Sequence, residues 1–195
     1  MAAPIKLNFK IYQGSTFKEV LRWETSTKVY KSISGITKAA PMVITAAGHS
    51  IPIGWRTKIT NVAGMKEVNS SDVYHTVTAA DTNTATINAV NSLGFTDYTS
   101  GGVLEYNEPR SLASVTGRMQ LRAKVDSADT LLELTTANGG VTIDDVLKTI
   151  TLNITAVATA ALTFTSAVYS LELVDGSEVI PFIYGSITVD KEITR

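Results

Sequence analysis

His49 and His75 are the only two histidines in a chain of 195 residues, and the chain has no cysteine. They are therefore its only side chains that ordinarily titrate between pH 5 and 8. Either ring could act as a general base, but a hydrolytic pair also needs a nucleophile held beside it, and no Gly-x-Ser-x-Gly elbow is present. His49 sits in Ala47-Gly48-His49-Ser50-Ile51-Pro52, where its expected work is to hold a turn. His75 lies inside an extended run, packed or half-exposed. The missing cysteines remove thiol nucleophiles, thiolate metal sites and disulfides together.

Acidic pairs are the next candidates. Asp144-Asp145 and Asp126/Asp129 could be asked to bind calcium, which takes about six to eight oxygens from an ordered loop. Neither pair falls in an Asp-x-Asp-x-Asp-Gly pattern, and Asp144-Asp145 follows Ile143 where a strand should turn, so turn capping is the expectation. No catalytic residue, metal or cofactor is assigned, and the chain is read as a non-enzyme. Trp23, Trp55, Tyr74, Tyr98 and Tyr106 could form a stacking platform for sugar. Trp23 shares parity with Phe17 and Leu21, which favours the core. Trp55, Tyr98 and Tyr106 are expected in a core or an interface, because aromatic rings dominate both.

Charge narrows the partners. Lys and Arg total 17 against 18 Asp and Glu, a net charge of −1 with no basic cluster, so no nucleic-acid partner is expected. The most apolar stretch, Ile154–Phe164, is 11 residues long and contains three threonines, too short and too polar to span a bilayer. Lys6, Asn8 and Lys10 interrupt the apolar residues near the start, so no secretion signal is expected there. No membrane partner is expected.

The elements that must carry these residues are strands. Ile5, Leu7, Phe9 and Ile11 alternate with Lys6, Asn8, Lys10 and Tyr12, the period of a half-buried strand. Phe17, Leu21 and Trp23 mark a second one. Glu24–Gly35 is polar and reads as a pause before residues 36–109. Within that stretch Met42–Thr45, Trp55–Val62, Val73–Thr78, Ala85–Ile87 and Val103–Tyr106 are short strands cut by glycine turns, the pattern of a small barrel. After Pro109, Met119, Leu121 and Ala123 face one way. Leu132–Thr136 and Val141–Ile143 flank Ala137-Asn138-Gly139-Gly140, the strongest short-range hairpin signal. Ile150–Ile154 is another strand, and Ala156–Ala161 has the composition of one helical turn. Val168–Val174 and Val179–Tyr184 make a second hairpin across Asp175-Gly176, Pro181 marking an edge or a bulge. Ser186–Ile193 closes the domain. The fold class is all-β: a discontinuous antiparallel β-sandwich, Ig-like, over residues 1–35 and 110–195, with a small β-barrel domain inserted at 36–109.

Two resemblances give this architecture a setting. With the insert removed, Gln13-Gly-Ser-Thr-Phe17 and Leu21-Arg-Trp23 run on to Val115-Thr-Gly-Arg-Met-Gln-Leu-Arg122 and Leu131-Leu-Glu-Leu-Thr-Thr-Ala-Asn-Gly139. Val168-Tyr-Ser-Leu-Glu-Leu-Val-Asp-Gly176, Gly185-Ser-Ile-Thr-Val189 and Glu192-Ile-Thr-Arg195 follow. This order is similar to a family of tailed-bacteriophage structural domains and, distantly, to the N-terminal domain of phage baseplate upper proteins. The insert resembles a phage virion module likened to the first catalytic-cysteine half-domain of ubiquitin-activating enzymes. That likeness rests on Ile36-Thr-Lys-Ala-Ala-Pro41, Thr45-Ala-Ala-Gly-His49, Gly54-Trp55, Gly64-Met65, Val68-Asn69 and Tyr98-Thr-Ser-Gly-Gly102. It implies a shape and no adenylating chemistry, since cysteine and a phosphate loop are both missing.

The resemblance implies a virion structural protein, made in the host cytoplasm and placed in the tail or baseplate. Capsid decoration or a head–tail junction is the alternative position. Other virion proteins and further copies of the chain are the implied partners, and a host-surface glycan bound through the insert is the reading from a different class. Interface candidates are Ile5, Leu7, Phe9 and Ile11 on an arm, Pro4–Tyr12, that pairs with a neighbour, and Trp55, Tyr98 and Tyr106 on the insert. Removing residues 1–12 is expected to weaken assembly and leave the domain folded.

Overall fold

The computed structural model describes residues 3–70 and 72–193. Thr194 and Arg195, which end the last stretch of the phage resemblance, lie outside the described residues. The elements in chain order begin with β1 (Ile5–Lys6), β2 (Phe9–Tyr12), β3 (Phe17–Arg22), β4 (Glu24–Ser32), β5 (Gly35–Ile36), β6 (Met42–Thr45) and β7 (Arg56–Ala63). A 3₁₀ turn at Lys66–Val68 precedes β8 (His75–Thr76), β9 (Ala79–Ala80), β10 (Thr84–Ile87), β11 (Ser100–Pro109), β12 (Val115–Arg122) and β13 (Leu132–Thr135). The chain ends with β14 (Val141–Asp144), β15 (Thr149–Ile154), α1 (Ala156–Ala160), β16 (Ser166–Asp175) and β17 (Glu178–Asp190). The protein is almost entirely β, as its Val, Ile and Thr content favours.

The chain divides into two compact units: Met1–Arg22, Ser111–Asp145 and Thr149–Arg195 in the first, Trp23–Arg110 and Val146–Lys148 in the second. The first boundary falls at Trp23, not Ile36, because the polar stretch after it is a strand. Thr25–Thr27 and their neighbours lack apolar alternation, yet β4 forms a full ladder with β11 from Val103↔Ser32 to Asn107↔Lys28. An edge strand needs little apolar surface, so its main chain carries the pairing.

Unit 1 contains two sheets. One has the order β1-β17-β16-β12-β13, with β2 also pairing β17, and the other the order β14-β15-β3. Segments from before and after residues 23–110 thus share both sheets: β3 pairs β15 and β2 pairs β17. Apolar side chains join the two sheets. The Phe9 ring meets Phe17 edge-on at 5.5 Å and stacks against Tyr169 at 5.3 Å. At Gly117 a Cβ would come within 2.9 Å of Val141 Cγ1, so the second sheet lies directly against β12.

Three expectations need correction here. First, the sheet is not wholly antiparallel, since β1 and β2 run parallel to β17. No short turn ties these distant segments, so nothing imposes the antiparallel sense. Second, the arm is not one continuous amphipathic strand. At Leu7–Asn8 the main chain kinks: Tyr169 Oη–H donates to the Leu7 carbonyl at 2.7 Å, and Asn8 Oδ1 accepts the Ser186 N–H at 3.0 Å. Gly185 permits the kink, because a Cβ there would stand 1.9 Å from the Leu7 oxygen. Phe9 and Ile11 are buried while Ile5 and Leu7 are exposed. Third, the Asn138-Gly139 turn does not close a hairpin. β13 pairs β12 and β14 pairs β15, so the turn is a corner between two sheets. Asn138 fixes it, its Oδ1 accepting from Thr135 N–H and Gly140 N–H.

Other expectations hold. β16 and β17 form the hairpin across Asp175-Gly176, and the register shifts opposite Leu171 and Glu172, next to Pro181. Helix α1 starts at Thr155, whose hydroxyl accepts the Ala158 N–H at 3.2 Å.

Unit 2 has two four-stranded sheets, β4-β11-β7-β8 and β5-β6-β10-β9. No sheet among the described residues closes into a barrel. Closure demands continuous pairing around the ring, and β8 and β9, only two residues each, end their sheets. One apolar cluster gathers Met42, Ile44, Ile59, Met65, Ile87 and Leu104, and a second gathers Ile51, Trp55, Val77, Ala85 and Tyr106.

Candidate functional site

His49 is built into a loop. It is 1% exposed, its Nδ1 accepts the Ile51 N–H at 3.0 Å, and its own carbonyl accepts the Tyr106 hydroxyl. Because Nδ1 accepts, the neutral ring carries its proton on Nε2. Burial holds the imidazole below its ordinary value, outweighing the Asp81 charge. Nε2 is buried and has no hydrogen-bond partner among the described residues. His75 is half-buried in β8 opposite Thr57, and burial likewise lowers its pKa.

Of the acidic candidates, Asp145 acts on the main chain. Asp145 Oδ1 accepts the Leu112 N–H at 2.5 Å, a capping role, and Asp126 and Asp129 lie exposed in the loop after β12. No group of three His, Asp or Glu side chains among the described residues converges as metal ligands would. Asp81, which its sequence context did not single out, closes a tighter turn. It accepts from Asn83 N–H at 2.7 Å, Thr84 N–H at 2.6 Å and the Thr84 hydroxyl at 2.8 Å, bonds that hold its carboxyl below the usual range. Its Asp-x-Asn-Thr context was the available signal.

The aromatic platform does not assemble. Trp55 is fully buried and donates Nε1–H to the Asn107 carbonyl at 2.8 Å, and Tyr106 is 3% exposed. Tyr98 is half-buried, its hydroxyl shared between the carbonyls of Ile33 and Gly101. Trp23 is half-buried in unit 2 under the Arg110 guanidinium, 4.5 Å away. Tyr74 is the ring that sequence undervalued: Lys58, Arg56 and Lys28 approach it at 4.6, 4.8 and 5.9 Å. Glu24 binds Arg56 through both carboxylate oxygens, and Glu105 pairs Lys28 at 3.1 Å. Acidic partners thus temper this cationic patch.

Of the interface candidates, Phe9, Ile11, Trp55 and Tyr106 are corrected: all four are core residues and offer no surface. Ile5 and Leu7 remain exposed, at 67% and 37%. They lie on an open sheet edge. Leu7 N–H and Gln13 N–H donate to Tyr184 and Asp190 of β17, so alternation turns the main chain of Lys6, Lys10 and Tyr12 outward. Lys10 is held at the edge by Asp190 at 2.7 Å, which raises its pKa. Since Phe9 and Ile11 are core, deleting residues 1–12 would damage the fold, and the arm is not dispensable.

No protein-family model matches the chain, and no curated protein is significantly similar to it. What the residues offer is therefore weighed on geometry. No helix among the described residues is long and apolar enough to cross a membrane. His49, Asp81 and Asp145 serve turns, Glu24 and Glu105 serve ion pairs, and the β1/β2 edge is accessible.

Proposed function

We propose that this chain is a non-enzymatic structural component of a tailed-phage virion, placed in the tail or baseplate. In this reading unit 1 is an Ig-like sandwich that serves as the base. Unit 2 is an inserted module related to a small barrel but left open between its sheets. The observation that carries the proposal is the sheet edge with Ile5 exposed beside outward main-chain groups of Lys6, Lys10 and Tyr12. An open edge is a template for another strand, and apolar side chains beside it add affinity when covered. The likeness of the flanks and the insert to virion domains supports the setting.

The test is the oligomeric state of the whole chain by light scattering and sedimentation, with Ile5→Lys/Leu7→Lys as the comparison. The wild-type chain should self-associate at high concentration and the double variant should remain monomeric with an unchanged circular dichroism spectrum. A wild-type chain that stays monomeric, and that is missing from purified particles by mass spectrometry, would contradict the proposal.

A further inference from the structure

The outer face of the six-stranded sheet carries a trough of about 550 Å³ within unit 1, lying on the sheet face and not along its open edge. Two rows of cross-strand neighbours build it. Lys6 stands opposite Tyr184, Tyr184 opposite Ser170, and Ser170 opposite Gln120. In the next row Ser186 stands opposite Val168, and Val168 opposite Arg122. Alternation directs these side chains away from the core face that holds Tyr169, Leu171 and Ile187. Three strand spacings separate β1 from β12, so the trough is about 14 Å across. Its floor is low because Ser170, Ser186 and Val168 are small. Lys6 and Tyr184 rise on one side, Arg122 and Val125 on the other, with Tyr184 44% exposed.

The chemistry of the walls is specific. The Arg122 guanidinium donates to the carbonyls of Ser127 and Ala128 and to Gln120 Oε1 at 2.9 Å. Gln120 is itself held by Glu133 at 2.7 Å. The fork is thus fixed by neutral oxygens, while Arg56 and Arg118 each have a carboxylate. Neither Arg122 nor Lys6 forms an ion pair among the described residues. Two such cations facing one trough favour an anion, and a prepositioned guanidinium favours a carboxylate. The exposed Tyr184 ring supplies a flat apolar face, and the Ser170 and Ser186 hydroxyls supply hydrogen bonds beside it. A sugar ring bearing a carboxylate needs all three.

We infer that this trough binds an acidic saccharide lying across it, one ring stacked on Tyr184 beside Lys6 and a carboxylate held by Arg122 on the facing wall. The site is independent of the virion reading and differs from a glycan site on unit 2, whose Trp55 and Tyr106 are buried. Titration of the ¹⁵N-labelled full chain tests it, using trigalacturonate and 3′-sialyllactose as acidic sugars. Methyl-esterified trigalacturonate and lactose remove the charge, and tri-glutamate removes the ring. At least one acidic sugar should shift the amides of Lys6, Ser170, Tyr184 and Arg122 and bind about tenfold tighter than its neutral counterpart and tri-glutamate. Lys6→Gln and Tyr184→Ala, both at exposed positions, should each weaken it about five- to tenfold with other amides unmoved. No shift in the trough with either acidic sugar at about 10 mM would overturn the inference. So would equal binding of the neutral sugar or of tri-glutamate, or undiminished binding by both variants.

Discussion

The two units hold together by different means. Unit 1 relies on long ladders, with β16 of 10 residues and β17 of 13, and on an aromatic contact between sheets at Phe9, Phe17 and Tyr169. Unit 2 sets the long strands β4, β7 and β11 beside five strands of two to four residues, and polar side chains tie down the loops between the short ones. Asn69 bonds both the N–H and the C=O of Val62, and buried Ser92 accepts from Ala39 N–H. His49 and Asp81 fix adjoining turns. A short strand leaves more of its main chain to be satisfied by loops, and buried main-chain groups must find partners. The same polar residues that suggest chemistry in a sequence are consumed by that task.

Substitutions can break this contrast. The largest effect is expected from Phe9→Ala, which removes both ring contacts of unit 1 and should cost about 3–5 kcal/mol in urea unfolding. A loss under about 1 kcal/mol would show that the inter-sheet contact is not central. In unit 2, Ser92→Ala leaves the Ala39 N–H without its partner at a fully buried site and should cost about 1–3 kcal/mol. Tryptophan fluorescence reads that loss selectively, because Trp23 and Trp55 are the only tryptophans and both lie in unit 2.

Acid sharpens the comparison further. Both histidines are in unit 2, and both have folded pKa values lowered below the ordinary 6.5 by burial. The unfolded state therefore binds more protons as pH falls through 6.5, so their contribution is complete above that value and is lost below it. Melting followed by tryptophan fluorescence should drop between pH 7.5 and 5.5, and His49→Gln should flatten that slope. An unchanged slope in both His49→Gln and His75→Gln would remove the histidines from the account. The smallest effect is expected at the edge: Ile5→Lys should change stability by no more than about 0.5 kcal/mol, since its side chain is exposed.

Much of this was legible from the residues. Alternation identified the faces of β2 and β12, Asp175-Gly176 marked the β16–β17 hairpin, and Pro181 marked the register shift. Periodicity tells which side of a strand is apolar, but it does not name the partner strand. For that reason the parallel pairing of β1 and β2 and the corner at Asn138-Gly139 were not readable. The polar edge strand β4 carries no alternation at all, which moved the unit boundary. Trp55 and Tyr106 were open to either core or interface because an aromatic ring serves both. Their burial depends on loops clamped by distant groups, such as the His49 carbonyl over Tyr106.

Amide hydrogen exchange at the β1/β2 edge tests most directly whether the chain assembles by strand addition. In dilute protein, Lys6, Lys10 and Tyr12 should exchange quickly while Leu7 and Gln13, bonded to β17, are protected. In the assembled form all five should be protected. An assembly in which Lys6, Lys10 and Tyr12 still exchange freely would contradict strand addition at this edge.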